Sequence, residues 1–164
     1  MGNDPPIGAL YSAVFKAIAV SAAQDLFELT APSNKRVIIH EFTCGQYSDP
    51  GDAQAELLSI VVTRGYTVAG SGGSAVTPAK LKQRSSRSAL STVTRNNTTV
   101  ANTGTAVDLI SRAWNVQAGE LQIPRPGHEI EIEAGERIVF RTTAPADALT
   151  MNGTLIFEER DLRY

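Results

Sequence analysis

The 164-residue chain is poor in the residues that build disulfides, metal sites and stacking surfaces. Its single cysteine, Cys44, excludes an intrachain disulfide framework and any metal site made of several cysteines. There are two histidines, His40 and His128, and one tryptophan, Trp114. Aromatic residues make up only 6% of the chain, which argues against a surface built to stack on nucleic-acid bases. We expect no nucleic-acid partner.

Long apolar runs are missing as well. No window approaches the length that a membrane-spanning helix needs, so we expect no membrane partner. Residues 1–6 (MGNDPP) lack a basic stretch followed by an apolar one, so we expect no secretion signal. Pro6 stands where a myristoylation signal has Ser or Thr.

The remaining composition is that of a folded domain. The chain is 42% hydrophobic and 20% charged, within the range of globular proteins. One domain of this length buries roughly two thirds of the surface that its unfolded chain exposes. We therefore expect an N-terminal arm, residues 1–10, and one domain, residues 11–164.

Short runs of β-branched and aromatic residues recur between clusters of turn formers, and no helical apolar period is sustained. The sharpest signal is residues 129–133 (EIEIE), in which Ile130 and Ile132 should face inward. We predict eight or nine strands, with the clearest at residues 11–20, 25–29, 36–46, 56–66, 106–116, 129–133, 137–142 and 150–158.

So many antiparallel hairpins must close or stack their sheets, which predicts an all-β, jelly-roll-like antiparallel β-sandwich. An immunoglobulin sandwich is less favoured because its cysteine and tryptophan spacing is missing.

Residues 67–105 stand apart as a polar, basic insertion or loop. It opens with residues 70–74 (GSGGS), a flexible-linker composition that fits no phosphate-binding or nucleophile motif. No acid occurs between Leu57 and Val107. The insertion is either functional or a mobile surface loop, and both readings stay open. Its candidate contact residues for an acidic protein surface are Lys80, Lys82, Arg84, Arg87 and Arg95.

The sequence contains no strong set of candidate catalytic residues. His40 and Cys44 lie about 13 Å apart on one strand, so Cys44 is better read as a core residue. His128 with Glu129, Glu131 and Glu133 suggests a cupin metal site, but two histidines are too few for it. A pair of glycosidase carboxylates cannot be located from sequence. We expect no catalytic residue, metal or cofactor, and a protein that is not an enzyme.

Several stretches resemble small jelly-roll proteins encoded among the structural genes of tailed bacteriophages. They extend over residues 24–159, and they are structural signatures, less specific than a catalytic motif. The stretches are residues 24–29 (QDLFEL), 31–32 (AP), 49–57 (DPGDAQAEL), 64–65 (RG), 70–73 (GSGG), 77–78 (TP), 114–116 (WNV), 145–155 (PADALTMNGTL) and 157–159 (FEE).

The resemblance implies a capsid decoration (cement) protein. Such a protein would be made in the bacterial host cytoplasm and would form a homotrimer on the outer capsid surface of the virion. Its partner would be the major capsid protein, and it would reinforce contacts between capsomers. The insertion and the arm, residues 1–10, are the candidates for reaching neighbouring subunits.

Two alternatives stay open. The same trimeric jelly roll could be the receptor- or carbohydrate-binding head of a tail fibre, although exposed aromatic residues for a glycan site are few. A degenerate cupin-like enzyme stands third, and an ordered metal held by His40 and His128 would favour it.

Overall fold

A computed structural model describes residues 8–47, 56–83 and 87–162, with residues 121–122 described by their backbone alone. These residues form strands joined by turns and contain no helix that could span a membrane. The strands are β1 (Ala9–Val20), β2 (Gln24–Thr30), β3 (Lys35–Gln46), β4 (Leu57–Val68), β5 (Ser74–Val76), β6 (Ala79–Lys80), β7 (Thr92–Asn97), β8 (Asn102–Asn115), β9 (Glu120–Gln122), β10 (Ile130–Ile132), β11 (Arg137–Thr142) and β12 (Leu149–Asp161).

The strands form two antiparallel sheets that pack as a sandwich. The first has the order β10-β3-β12-β1-β6, with β9 also paired to β3, and the second has the order β5-β7-β2-β11-β4-β8. Strand β1 pairs with β12, β2 with β11, β3 with β10 and β4 with β8. This is the pairing of a long hairpin rolled up on itself, the jelly-roll arrangement. The predicted fold class is confirmed.

The described residues form twelve strands, more than the predicted eight or nine: eight have six residues or more, while β5, β6, β9 and β10 have two or three. Strand β1 begins at Ala9, so the last two residues of the predicted arm belong to the sandwich, and residues 1–7 lie outside the described chain. In β10, Ile132 is fully buried and Ile130 is packed against the core, as the alternation predicts.

The core lies between the two sheets. A row of phenylalanine rings crosses it, with Phe15 5.2 Å from Phe27, Phe27 6.3 Å from Phe42, and Phe42 4.7 Å from Phe140 between ring centroids. Phe15 and Phe42 come from the first sheet and Phe27 and Phe140 from the second, so the rings join the two layers. Buried aromatic pairs of this kind contribute about 0.5–1.5 kcal/mol each beyond their burial.

Residues 67–105 are built into the sandwich to a large extent. Strands β7 and β5 extend the second sheet beyond β2, and β6 pairs with β1 at the edge of the first sheet. Val93 and Ala101 are buried. Strand β7 (TVTRNN) has too few apolar residues for its alternation to stand out in the sequence, which is why it escapes sequence analysis.

Candidate functional site

Buried carboxylates of the sandwich hold the insertion in place. Glu159 on β12 is 4% exposed. Its Oε1 accepts hydrogen bonds from the backbone N–H groups of Leu90, at 2.8 Å, and Ser91, at 2.7 Å. The Ser91 hydroxyl donates to the same oxygen at 2.7 Å. A carboxylate satisfied by three donors fixes the chain just before β7.

Two carboxylates on β2 hold the two ends of the insertion. Glu28 Oε2 accepts from the Gly70 N–H at 2.8 Å and from Asn97 Nδ2 at 3.0 Å, and its Oε1 forms an ion pair with Arg137 Nε at 2.8 Å. Asp25, which is fully buried, accepts from the Ala101 N–H at 2.6 Å. Backbone groups near both ends of the insertion therefore lie against the second sheet.

Arg141 completes the contact around Asp25. Its Nε donates to Asp25 Oδ1 at 2.6 Å and its Nη2 donates to the Ala101 carbonyl at 2.7 Å. The guanidinium lies 5.0 Å from the centre of the Tyr66 ring. Burial alone would lower the pKa of Arg141, but the hydrogen bond and charge of Asp25 outweigh it, so the pKa is raised and the group stays charged.

Three of the five predicted contact residues fall along the β1 edge of the sandwich. Lys80 lies opposite Tyr11 in the β6–β1 pair, and the Tyr11 hydroxyl donates to the Arg87 carbonyl at 3.2 Å. The side chain of Arg87 is 69% exposed and lies 3.6 Å from Asp161. Lys82, two residues after β6, is also exposed. We call Lys80, Lys82 and Arg87 the basic edge.

The other two predicted contact residues are placed differently. Arg95 on β7 donates from Nη1 to the Val14 carbonyl on β1 at 2.7 Å, so this side chain links the two sheets. Arg84 lies outside the described residues. Within residues 8–47, 56–83 and 87–162, Lys80 and Lys82 have no acidic partner, and their charges face solvent.

His40 and Cys44 do not meet. His40 Nε2 lies 2.8 Å from Glu158 Oε2, and Arg160 donates to both oxygens of Glu158, at 2.7 and 3.0 Å. Burial would raise the pKa of Glu158, but the hydrogen bonds from Arg160 and His40 outweigh it, so the pKa is lowered. Cys44 lies in the core, and burial raises the pKa of its thiol to about 12. It is a core residue, as the sequence predicts.

The acidic residues around β10 also form local ion pairs and turns. Glu131 binds Arg36 at 2.7 Å, and Glu129 accepts from the Gly127 N–H at 2.8 Å. His128 is exposed and lies two residues before β10. In the described part of the chain, no group of three His, Cys, Asp or Glu residues could hold a metal ion.

Comparison of the chain with protein-family models, with curated proteins and with solved structures gives no match.

Proposed function

We propose that this protein is a capsid decoration protein, which binds the outer surface of a tailed-phage capsid and stabilises contacts between capsomers. The proposal rests on the sequence stretches that resemble such proteins, and the jelly-roll sandwich is the fold that the resemblance implies. The observation that carries it is the insertion, which three buried carboxylates hold against the sandwich while Lys80, Lys82 and Arg87 face solvent.

The described parts of the insertion, residues 67–83 and 87–105, are held against the sandwich, and this suits docking on a protein lattice. Side chains and loops that are already ordered lose little conformational entropy when they bind, so more of the contact energy becomes affinity. Exposed cations at the rim of a protein–protein interface mainly speed association with an acidic partner surface, and they disfavour binding to basic surfaces. The basic edge is therefore the surface that we assign to the major capsid protein.

The proposal includes a homotrimer on the virion. Each protomer would present one basic edge, and simultaneous attachment of several protomers multiplies a weak contact into tight binding. A small and polar contact per protomer is then enough, which agrees with the polar composition of residues 67–105.

The test uses matured capsids that lack the decoration protein, assembled from the major capsid protein encoded in the same genome. The purified full-length chain is added over a salt series and cosedimented, and its own mass is measured by light scattering. A trimer that saturates the capsids at a fixed stoichiometry and weakens with salt supports the proposal. A monomer that does not bind capsids yet binds host cells would overturn it in favour of a receptor-binding head.

A further inference from the structure

The outer face of the first sheet carries a groove of about 280 Å³ between β1, β12 and β3. Opposed residues Val14, Thr154 and Thr43 form its floor across the three strands. Their neighbours Ala13, Leu155 and Phe42 are buried in the core, so the floor side chains point away from it. Beside this groove the sheet departs from regular pairing.

That departure is a bulge in β1. The pairing of β1 with β12 shifts register between Phe15 and Ile18, and Ala17 has a φ of 49°, a strained value for a residue other than glycine. The Ala17 N–H donates to Asn152 Oδ1 at 2.7 Å. This bond fixes the amide of Asn152, and its Nδ2 group, which lies beside the groove, has no acceptor among the described residues.

The groove offers donors and one positive charge. Lys16 is exposed at its rim, and the hydroxyls of Thr43 and Thr154 have no protein partner among the residues that the structure describes. None of the nine described residues that line the groove is acidic. A cation beside an amide donor and two hydroxyls complements a carboxylate on a molecule that also carries hydroxyl groups.

We propose that this groove binds a single sugar acid, a hexuronate or a similar hydroxylated carboxylate. Lys16 and Asn152 Nδ2 would hold the carboxylate, and Thr43 and Thr154 would hydrogen-bond the ring hydroxyls. The volume lies just below the range of about 300–1,000 Å³ that is usual for sites of drug-sized ligands, and it suits one ring. The groove lies on the outer face of the first sheet and none of its lining residues belongs to the basic edge, so the proposal does not rest on capsid docking.

The test follows backbone amide shifts of the full-length protein by NMR while D-glucuronate, D-glucose or acetate is added. We expect D-glucuronate to bind with a Kd of the order of 1 mM, the strength expected for a ligand of this size. The shifts should centre on Ala17, Thr43, Asn152 and Thr154. Glucose and acetate should each bind at least about fivefold more weakly, because each has only half of the recognised groups.

Two variants separate recognition from folding. Asn152→Asp keeps an oxygen that can accept from the Ala17 N–H but replaces the amide donor with a negative charge, so D-glucuronate binding should be lost while the spectrum stays folded. Lys16→Met should weaken binding about fivefold or more, and the matched exposed-lysine control, Lys82→Met, should leave it unchanged. The proposal is overturned if D-glucuronate does not shift these amides, if acetate binds equally well, or if both lysine variants behave alike.

Discussion

One oxygen of Glu159, Oε1, accepts hydrogen bonds from both the backbone N–H and the hydroxyl of Ser91, each at 2.7 Å. The two residues are 68 positions apart, and the contact joins the end of the last strand to the polar insertion. The same oxygen accepts from the Leu90 N–H. Part of the insertion, whose sequence is typical of a loop, is therefore held in place by a buried side chain of the sandwich.

Glu159→Gln should loosen the insertion while leaving the jelly roll folded. The amide oxygen is a weaker acceptor than the carboxylate oxygen that now receives three hydrogen bonds, so we expect the free energy of unfolding to fall by about 1–3 kcal/mol. Amide hydrogen exchange at Leu90 and Ser91 should accelerate most. The control Glu133→Gln changes an exposed glutamate and should alter neither quantity. Equal effects of the two variants in urea unfolding would contradict this account of the anchor.

Asp25→Asn should be among the most destabilising single changes in the chain. It leaves the guanidinium of Arg141 partly buried without its counter-charge, and breaking one partner of such a pair costs about 3 kcal/mol. Asp25→Asn with Arg141→Met removes the charge as well, so the double variant should be more stable than Asp25→Asn alone. Urea denaturation of the wild type, the two single variants and the double variant measures this, and a double variant that simply adds the two single losses would refute the charge-pair explanation.

The stability contributed by Glu158 should depend on pH. Its pKa in the folded protein is lowered below 4.5, the value for an unperturbed glutamate. The folded state therefore favours the carboxylate, and the resulting stabilisation is fully present above pH 4.5 and is lost as the pH falls through the folded pKa. Glu158→Gln should be less stable than wild type at pH 7, and the difference should shrink below pH 4.5. A difference that is constant from pH 7 to pH 3 would contradict the lowered pKa.

Cys44 should resist thiol reagents in the folded protein. Burial raises the pKa of its thiol to about 12, so the reactive thiolate is scarce at pH 8, and the side chain is only 5% exposed. Labelling followed by mass spectrometry should show no adduct in native buffer and complete reaction in denaturant. Rapid labelling of the native protein would place Cys44 outside the core.

The sandwich can be predicted from the sequence because the patterns that indicate its strands and turns are local. The alternation around Ile130 and Ile132 and the turn formers between strands can be read within a few residues. The anchors of the insertion cannot be predicted in this way. Glu28 meets Gly70 across 42 positions, and no spacing rule links a glutamate on one strand to a backbone N–H that far along the chain. Strand β7 is missed by sequence analysis for a related reason. Its polar residues show no apolar alternation, and they form a strand because they pair with β2 and β5.

The capsid-docking claim is tested most directly by the binding of charge-reversal variants to undecorated mature capsids. Lys80→Glu with Lys82→Glu reverses two exposed charges of the basic edge, and Arg112→Glu with Arg125→Glu reverses two exposed charges elsewhere. We expect the first variant to lose at least about tenfold in affinity at low salt and the second to bind like wild type. Equal binding of the two variants, or no binding of the wild-type trimer to capsids, would contradict the account.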